Sequence, residues 1–303
     1  MRLSVLDFGD PGSSVVISLR ADALGYSRYW IGEHHTATQC ANPLLLAPLL
    51  ALHTHGLRLG TGGVCLNYHS PFRIAEDARL IETLLPGCFD LGVTRGLSLD
   101  DKTYGALLDG RPRESLRDYL DKLADLHGYL TGRLPEGHPL FGRELYLKAG
   151  PPLWVLGQSV ESARWAGRHG TGFCFSLHQA HRAQPGTDAR PVLDEYRRSF
   201  KPSPEFEQPA VLVVASGLCA ATEKDVETLR KQLVQTYAPA EAPTPYFAGT
   251  PERSVEILEG ISRSLEADEL MILDVIPGPL DLRLEMLKLL ADVSGLVPRA
   301  SAT

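Results

Sequence analysis

The chain has 303 residues, 44% of them hydrophobic and 22% charged, enough for a large core and too balanced for a collagenous, disordered or disulfide-stapled design. Thirty Lys and Arg stand against thirty-seven Asp and Glu, a net charge of −7, so there is no global basic field to collect nucleic acid or an anionic membrane. A small molecule is the expected partner.

Short β-rich runs alternate with helical periodicity, the pattern of a parallel sheet with crossover helices. In chain order, the strand Arg2–Asp7 precedes the helix Ser14–Leu24, and the strands Ser27–Gly32 and Leu57–Gly62 precede the helix Ala75–Leu85. Cys88–Val93 leads to the helix Arg113–Tyr129, Leu153–Gly157 to Ser162–His169, and Gly172–Ser176 to Asp188–Phe200. Ala210–Ala215 leads to Glu223–Tyr237, and the helix Pro251–Leu265, with Thr250 as its expected hydroxyl cap, leads to the strand Glu269–Asp274. Eight strands and their helices predict a single (β/α)8 TIM barrel domain over residues 1–303. The connections 131–151 and 178–191 are expected either on the active-site face or as surface ornament, and 238–245 as a stiff connector.

Five scattered cysteines without a Cys-x-x-Cys pair fit neither a disulfide framework nor a zinc ribbon, and the N-terminus lacks the apolar stretch of a signal peptide. The apolar run Leu44–Leu52 is far below the roughly 20 residues of a bilayer crossing. A reduced, cytoplasmic setting away from membranes is expected.

Gly60-Thr-Gly-Gly-Val64 follows a strand but is no dinucleotide fingerprint, since Cys65 stands at the third glycine and a polar turn with His69 replaces the helix. It is a tight turn, or a place where Gly62 and Gly63 let the backbone approach a flat ligand. Glu33-His34-His35 ends the second strand, where a barrel projects side chains into its mouth. Neighbouring strand residues point to opposite faces and no third ligand is near, so a shared metal is not expected. One of the two histidines suits proton transfer in a pocket; a structural histidine is the alternative.

Arg95 closes the fourth strand with a guanidinium matched to a phosphate, or pairs with Asp100 or Asp101. Gly157-Gln-Ser-Val-Glu161 is one residue short of a serine-hydrolase elbow, and the histidines after it end at His181, too early for that triad's order. Ser159, Ser162 and the free amides of this helix start suit a phosphate, or Ser159 is an N-cap. The Leu-rich Pro43–Leu52 and the amphipathic Phe72–Leu85 are core, or together an apolar dimer face.

Taken in order, GYSRYWIGEHH, NPLLLAPLLALHTHGLRLGTGG, HSPFRIAEDARLIETL, PGCFDLGVTRGL, LWVLGQSVESARWAGRHG and GTPERSVEIL with ADELMI resemble the luciferase-like flavin monooxygenases over nearly the whole chain. Within them the chain is most similar to the short group around antibiotic-pathway oxygenases. The resemblance implies a homodimeric barrel enzyme that uses reduced FMN from a separate flavin reductase, and dioxygen, to oxidise a small organic substrate. It implies that His34 is the catalytic residue near the reactive edge of the flavin. His69 is a second catalytic candidate whose alternative is to stabilise its turn.

By the same resemblance, Gly62 and Gly63 match a non-prolyl cis peptide packed on the flavin ring. Arg95, Ser159 and Ser162 match the positions that hold the FMN phosphate, Gly157 and Gln158 of the same turn are further cofactor-binding candidates, and Ser176 matches a polar residue near the ring. Phe8, Trp30, Tyr68, Phe175 and the loop 178–191 are the expected lining of the mouth. Departures from the family include Gly96–Asp100 without its Ala-Pro-Gly run, Cys88 in place of arginine, and Thr94 in place of luciferase's reactive cysteine. The long insertion of true luciferases is also absent before Gly249, so light emission is not expected. A deazaflavin-dependent dehydrogenase on the same barrel and a non-catalytic flavin-binding or dimer-partner protein are the alternatives.

Overall fold

A computed structural model describes residues 1–96, 100–112, 117–143, 150–177, 188–236 and 245–299. The apolar runs form strands β1 (Arg2–Asp7), β2 (Arg28–Ile31), β3 (Arg58–Thr61), β4 (Val64–Cys65) and β5 (Phe89–Thr94), then β6 (Leu153–Leu156), β7 (Gly172–Ser176), β8 (Val211–Cys219), β9 (Phe247–Gly249) and β10 (Glu269–Asp274). All pairings are parallel. Eight strands close in the order β1-β2-β3-β5-β6-β7-β8-β10 and back to β1, a (β/α)8 barrel. β4 continues β3 past the glycine pair and adds to β5, while β9 adds to the far end of β8.

The helices around the barrel are α1 (Pro11–Leu24), α2 (Pro43–Ala51), α3 (Pro71–Leu84), α4 (Asp101–Leu107), α5 (Tyr119–Thr131), α6 (Val160–Arg168), α7 (Ala189–Ser199), α8 (Glu223–Thr236), α9 (Pro251–Leu265) and α10 (Leu280–Ser294). Their starts follow local chemistry: Asp10, Asn42, Asp100, Asp118, Ser159 and Asp188 each accept a first-turn N–H. α9 begins at Pro251 as expected, but the Thr250 hydroxyl makes no cap bond, so proline's fixed φ is the signal that holds. The expected start of α5 at residues 113–116 and most of the loops 178–191 and 238–245 lie outside the described residues.

Side-chain alternation along the strands divides two cores. Leu6, Trp30, Trp154, Cys174, Leu212, Val214 and Met271 fill the barrel interior, where the Trp30 and Trp154 rings meet edge to face at 5.9 Å. Leu3, Val5, Tyr29, Phe173, Phe175 and Val213 point to the helix layer. Phe175 therefore does not line the mouth: it shares the outward parity of Phe173, and Cys174 and Ser176 take the inward positions.

The N-terminal end of the barrel is closed by charge. Asp90 accepts from Arg28 Nε at 3.0 Å and from Arg58 Nε and Nη2 at 2.9 and 2.8 Å, and Arg28 also pairs with the buried Glu269. At the other end Asp7 accepts from Tyr29 Oη at 2.5 Å, Ser14 Oγ at 2.6 Å, Arg283 Nη2 at 2.9 Å and the Gly9 amide at 2.9 Å. Arg283 also holds Asp274 through two bonds of 2.9 Å. α10 is thus fastened to the C-terminal rim, and the turn carrying Phe8 is fixed with it.

Candidate active site

The C-terminal ends of β2, the β3–β4 pair and β5 carry the first group of expected residues. Gly62 and Gly63 are joined by a cis peptide bond. A Cβ at Gly62 would lie 2.8 Å from Leu6 Cδ1 and 2.9 Å from Trp30 Cβ, and one at Gly63 would lie 3.0 Å from the Gly92 carbonyl oxygen. Glycine is required here by close packing. The Gly63 carbonyl accepts from the Glu33 amide at 3.3 Å, which ties the glycine pair to the Glu33-His34-His35 segment.

That segment lies just beyond β2, which ends at Ile31, and the histidines part as their neighbouring positions require. The His34 ring packs edge-on against Phe8 at 4.4 Å between centroids, and its backbone N–H donates to the Cys40 carbonyl at 2.8 Å. Its Nδ1 is buried and has no hydrogen-bond partner among the described residues. Burial depresses the His34 pKa below the ordinary histidine value, against the pull of the Glu33 carboxylate, so the imidazole is held towards its neutral form. Phe8 lies over the backbone of Gly32, where a Cβ would come within 2.0 Å of its ring.

His35 turns instead to Glu33, and His69 meets it there. Both Nε2 atoms lie 2.8 Å from the same Glu33 oxygen, Oε1, while Oε2 accepts the Cys65 amide at 2.7 Å. Burial pushes the Glu33 carboxyl up, but the His69 hydrogen bond and charge, with the Cys65 amide and His35, outweigh it and lower the pKa. His69 sits after the turn Leu66–Tyr68, whose Asn67 amide donates to the Arg95 carbonyl at 3.2 Å. Among the described residues no group of three or more His, Cys, Asp or Glu has the geometry to hold a metal ion.

Strand register joins this group to the second. Val93 pairs with Val155, so Arg95 and Gly157 each follow the end of one of two neighbouring strands, two residues past that pair. Leu156 pairs with Cys174, which brings Gln158 level with Ser176, and Gln158 Nε2 donates to the Ser176 carbonyl at 3.3 Å. Ser159 is the N-cap of α6: its Oγ accepts from the Ser162 amide at 3.1 Å and lies 3.0 Å from Ser162 Oγ. A Cβ at Gly157 would lie 3.0 Å from Ser162 Cβ, so this turn is closely packed.

Arg95 is exposed, and no ion pair links it to a described acid; Asp100 caps α4 instead. Its guanidinium carbon lies 5.4 Å from the centroid of the Tyr119 ring. Lys122, one turn further along α5, donates to the Asn67 carbonyl at 2.8 Å, and burial together with Arg117 and Arg111 lowers its pKa to about 8. Three partners were not singled out from the sequence: Glu33 as a shared acceptor, Tyr119 and Lys122. The first was within reach, since a carboxylate directly before two histidines is a donor-acceptor set in itself. Tyr119 and Lys122 read as ordinary positions of an amphipathic helix.

Of the expected lining, Phe8 stands at the mouth, whereas Trp30 is fully buried inside the barrel and Tyr68 packs with Cys65, Tyr104 and Leu108 beside the turn.

The family model for luciferase-like monooxygenases matches residues 10–269. The uncharacterized protein YceB of Bacillus subtilis is 37% identical over 222 residues, 71% of this chain and 65% of its own length. A luciferase-like monooxygenase of Escherichia coli K12 is 34% identical over 237 residues, 74% of this chain and also 65% of its own length. The chain thus spans just under two thirds of each of these relatives. The crystal structure of apo-MsnO8 superposes with a TM-score of 0.80 at 27% identity, covering 98% of this chain and 99% of that one. At lower identity, chains of the same fold occur with two kinds of cofactor. The oxygenating constituent of 3,6-diketocamphane monooxygenase from Pseudomonas putida, in complex with FMN, has a TM-score of 0.69 at 16% identity, covering 99% of this chain and 100% of that one. An F420-dependent secondary alcohol dehydrogenase with an F420-acetone adduct has 0.63 at 13%, covering 95% of this chain and 98% of that one. By sequence and by fold, this chain belongs to the luciferase-like monooxygenase family.

Proposed function

We propose that this chain is a flavin-dependent monooxygenase that takes reduced FMN from a separate reductase and, with dioxygen, oxidises a small organic substrate. The observation that carries this reading is the buried Nδ1 of His34, without a hydrogen-bond partner among the described residues, in the segment that the Glu33 amide ties to the closely packed Gly62–Gly63 peptide at the C-terminal end of the barrel. A buried polar atom without a partner costs stability unless a ligand completes it. A flat ring bearing polar edge atoms and resting on backbone without side chains would do so. Gly157, Gln158, Ser159, Ser162 and Arg95 would hold the phosphate of FMN: a helix start follows β6, and an exposed guanidinium with no described acid partner follows the neighbouring strand β5. Ser176 would face the ring.

Bound and reduced, the flavin supplies the electrons that activate dioxygen. The protein's part is to keep water out and to present a proton acceptor or donor at one atom. Phe8 shields His34, the Trp30 layer closes the barrel beneath, and a neutral His34 can exchange a proton at Nδ1. The strands from β1 to β10 join in one closed barrel, which supports reading 1–303 as one domain. Among the described residues no helix is long and apolar enough to cross a membrane. The F420 complex on this fold makes a deazaflavin-dependent dehydrogenase the second reading. Titration with FMN and with a deazaflavin, each oxidised and reduced, decides between them. Preference for reduced FMN, with substrate loss coupled to dioxygen uptake when a reductase is added, supports the proposal. Binding of the deazaflavin alone overturns it.

A further inference from the structure

Glu33 has one carboxylate for three donors that come from three separate segments. His35 follows it in the loop after β2, Cys65 lies on β4 just past the glycine pair, and His69 lies beyond the next turn. The Glu33 side chain is 1% exposed, whereas those of His35 and His69 are 14% and 30% exposed, so both rings reach from a sealed carboxylate towards the surface. An ionised carboxylate only accepts, and Glu33 is held towards that form. Each Nε2 facing Oε1 must therefore carry a hydrogen. The backbone is tied at the same place, because the Glu33 amide donates to Gly63 and the His34 amide to Cys40. His34 thus sits between two anchored residues, its ring set against Phe8.

We propose that Glu33 is the positioning residue of the candidate active site: it fixes His35 and His69 as Nε2–H donors and, through them and the Cys65 amide, fixes the direction of His34 relative to the glycine pair. The functional half of this rests on the flavin reading above; the clamp itself does not. The ionisable groups around it are His34, Cys40 and Tyr68 from its own side and the adjoining turn, and the Cys65 thiol, 3.8 Å from the Glu33 carbonyl. Asp7, the other carboxylate acting on Cys40, is committed to Tyr29, Ser14 and Arg283, so among these described groups none replaces Glu33 when it is changed.

Glu33→Gln is the informative variant. It keeps the shape but offers one oxygen and one NH2 group where three donors converge, so it cannot satisfy all of them. Nitrogen-15 and proton spectra of the flavin-free protein are expected to show His35 and His69 in the Nε2–H form with two low-field imidazole N–H signals. In Glu33→Gln at least one of the three N–H signals, the two imidazole signals and the Cys65 amide, is lost or moves upfield, because the NH2 group must face one of the donors. The His127 signals, at the opposite end of the barrel, report that the variant is folded. Glu33→Asp, which keeps the charge but is a methylene shorter, is expected to lose at least one of the two signals. Either ring in the Nδ1–H form in the parent, or unchanged signals in Glu33→Gln, overturns the clamp.

The same samples are then titrated with FMN and assayed with a reductase. Positioning predicts a fall in kcat of about 10- to 100-fold with FMN affinity unchanged within about twofold. A loss of affinity at unchanged kcat overturns the positioning role. Should the parent bind no flavin while the two signals are present, the flavin reading fails and the clamp stands.

Discussion

The Arg95 guanidinium carbon lies 5.4 Å from the centre of the Tyr119 ring, whose hydroxyl is buried without a hydrogen-bond partner among the described residues. The ring face attracts the cation without neutralising it, so Arg95 stays in place and remains available for an anion. Arg95→Ala is expected to weaken FMN binding by about 1.5 to 3 kcal/mol, roughly ten- to hundredfold in Kd, and riboflavin binding hardly at all. Tyr119→Phe keeps the ring face and should bind like the parent. Tyr119→Leu removes it and should lose about 0.5 to 2 kcal/mol. Flavin fluorescence titrations of the four proteins check the series; equal affinity of Arg95→Ala and the parent for FMN contradicts the phosphate assignment.

Alanine at the glycine pair tests what kind of neighbour is in the way. At Gly63 the new Cβ meets backbone atoms of Gly92 and Val93 at 3.0 to 3.1 Å, and β5 cannot yield without disturbing its pairing. At Gly62 it meets the side chains of Leu6 and Trp30 at 2.8 and 2.9 Å, of which Leu6 Cδ1 is the end of a flexible chain. Both variants should lose stability by about 1 to 3 kcal/mol, Gly63→Ala the more. Urea unfolding measures the order, and the reverse order would show that the interior tryptophan layer is the stiffer wall.

These two sites also show where the sequence could be read and where it could not. Strands Arg2–Asp7, Gly172–Ser176 and Glu269–Asp274 have the expected bounds because each is an apolar run ended by a polar or breaking residue. β8 runs on to Cys219 because Ser216 and Gly217, which look like an ending, are paired there with β10, and Gly217–Cys219 also with β9, a tertiary cause with no local signal. Phe175 is expected among the lining of an apolar mouth, and strand parity sends it outward. The association of Glu33 with His69 spans 36 positions of chain. Nothing local marks such a pair, whereas the adjacent Glu33-His34-His35 was conspicuous at once.

The second and third helices, expected to be core or together an apolar dimer face, bury one side and expose leucines on the other. Leu45 and Leu49 of α2 are 61% and 50% exposed, Leu52 just after it 65%, and Leu84 of α3 69%. Exposed leucines on these two helices suit association with a second copy, the homodimer that the family resemblance implies. Leu49→Glu combined with Leu84→Glu is expected to turn a dimer into a folded monomer in sedimentation equilibrium, with thermal stability lowered only through the lost association. A parent that sediments as a monomer at high concentration contradicts the proposal directly.

His127 on α5 offers a pH test away from the candidate site. Its ring meets those of Trp165 and His169 at 5.9 and 5.2 Å, and burial, aided by His169 and Arg133, lowers its pKa to about 4. The unfolded chain takes up this proton near the ordinary value of about 6.5, so between about 6.5 and 4 the unfolded state binds more protons than the folded one. The stability tied to a neutral His127 is therefore complete above that upper value and is lost as the pH falls towards 4. On this basis the parent should lose on the order of 2 kcal/mol between pH 7.5 and 4.5 that His127→Gln does not lose. Glu33, with a lowered carboxyl, also loses stabilisation on acidification, so the difference between the two proteins is the quantity to compare, not either slope alone. Parallel slopes in urea unfolding at the two pH values would mean that the imidazole is protonated in the folded state and that its two aromatic neighbours accommodate the charge.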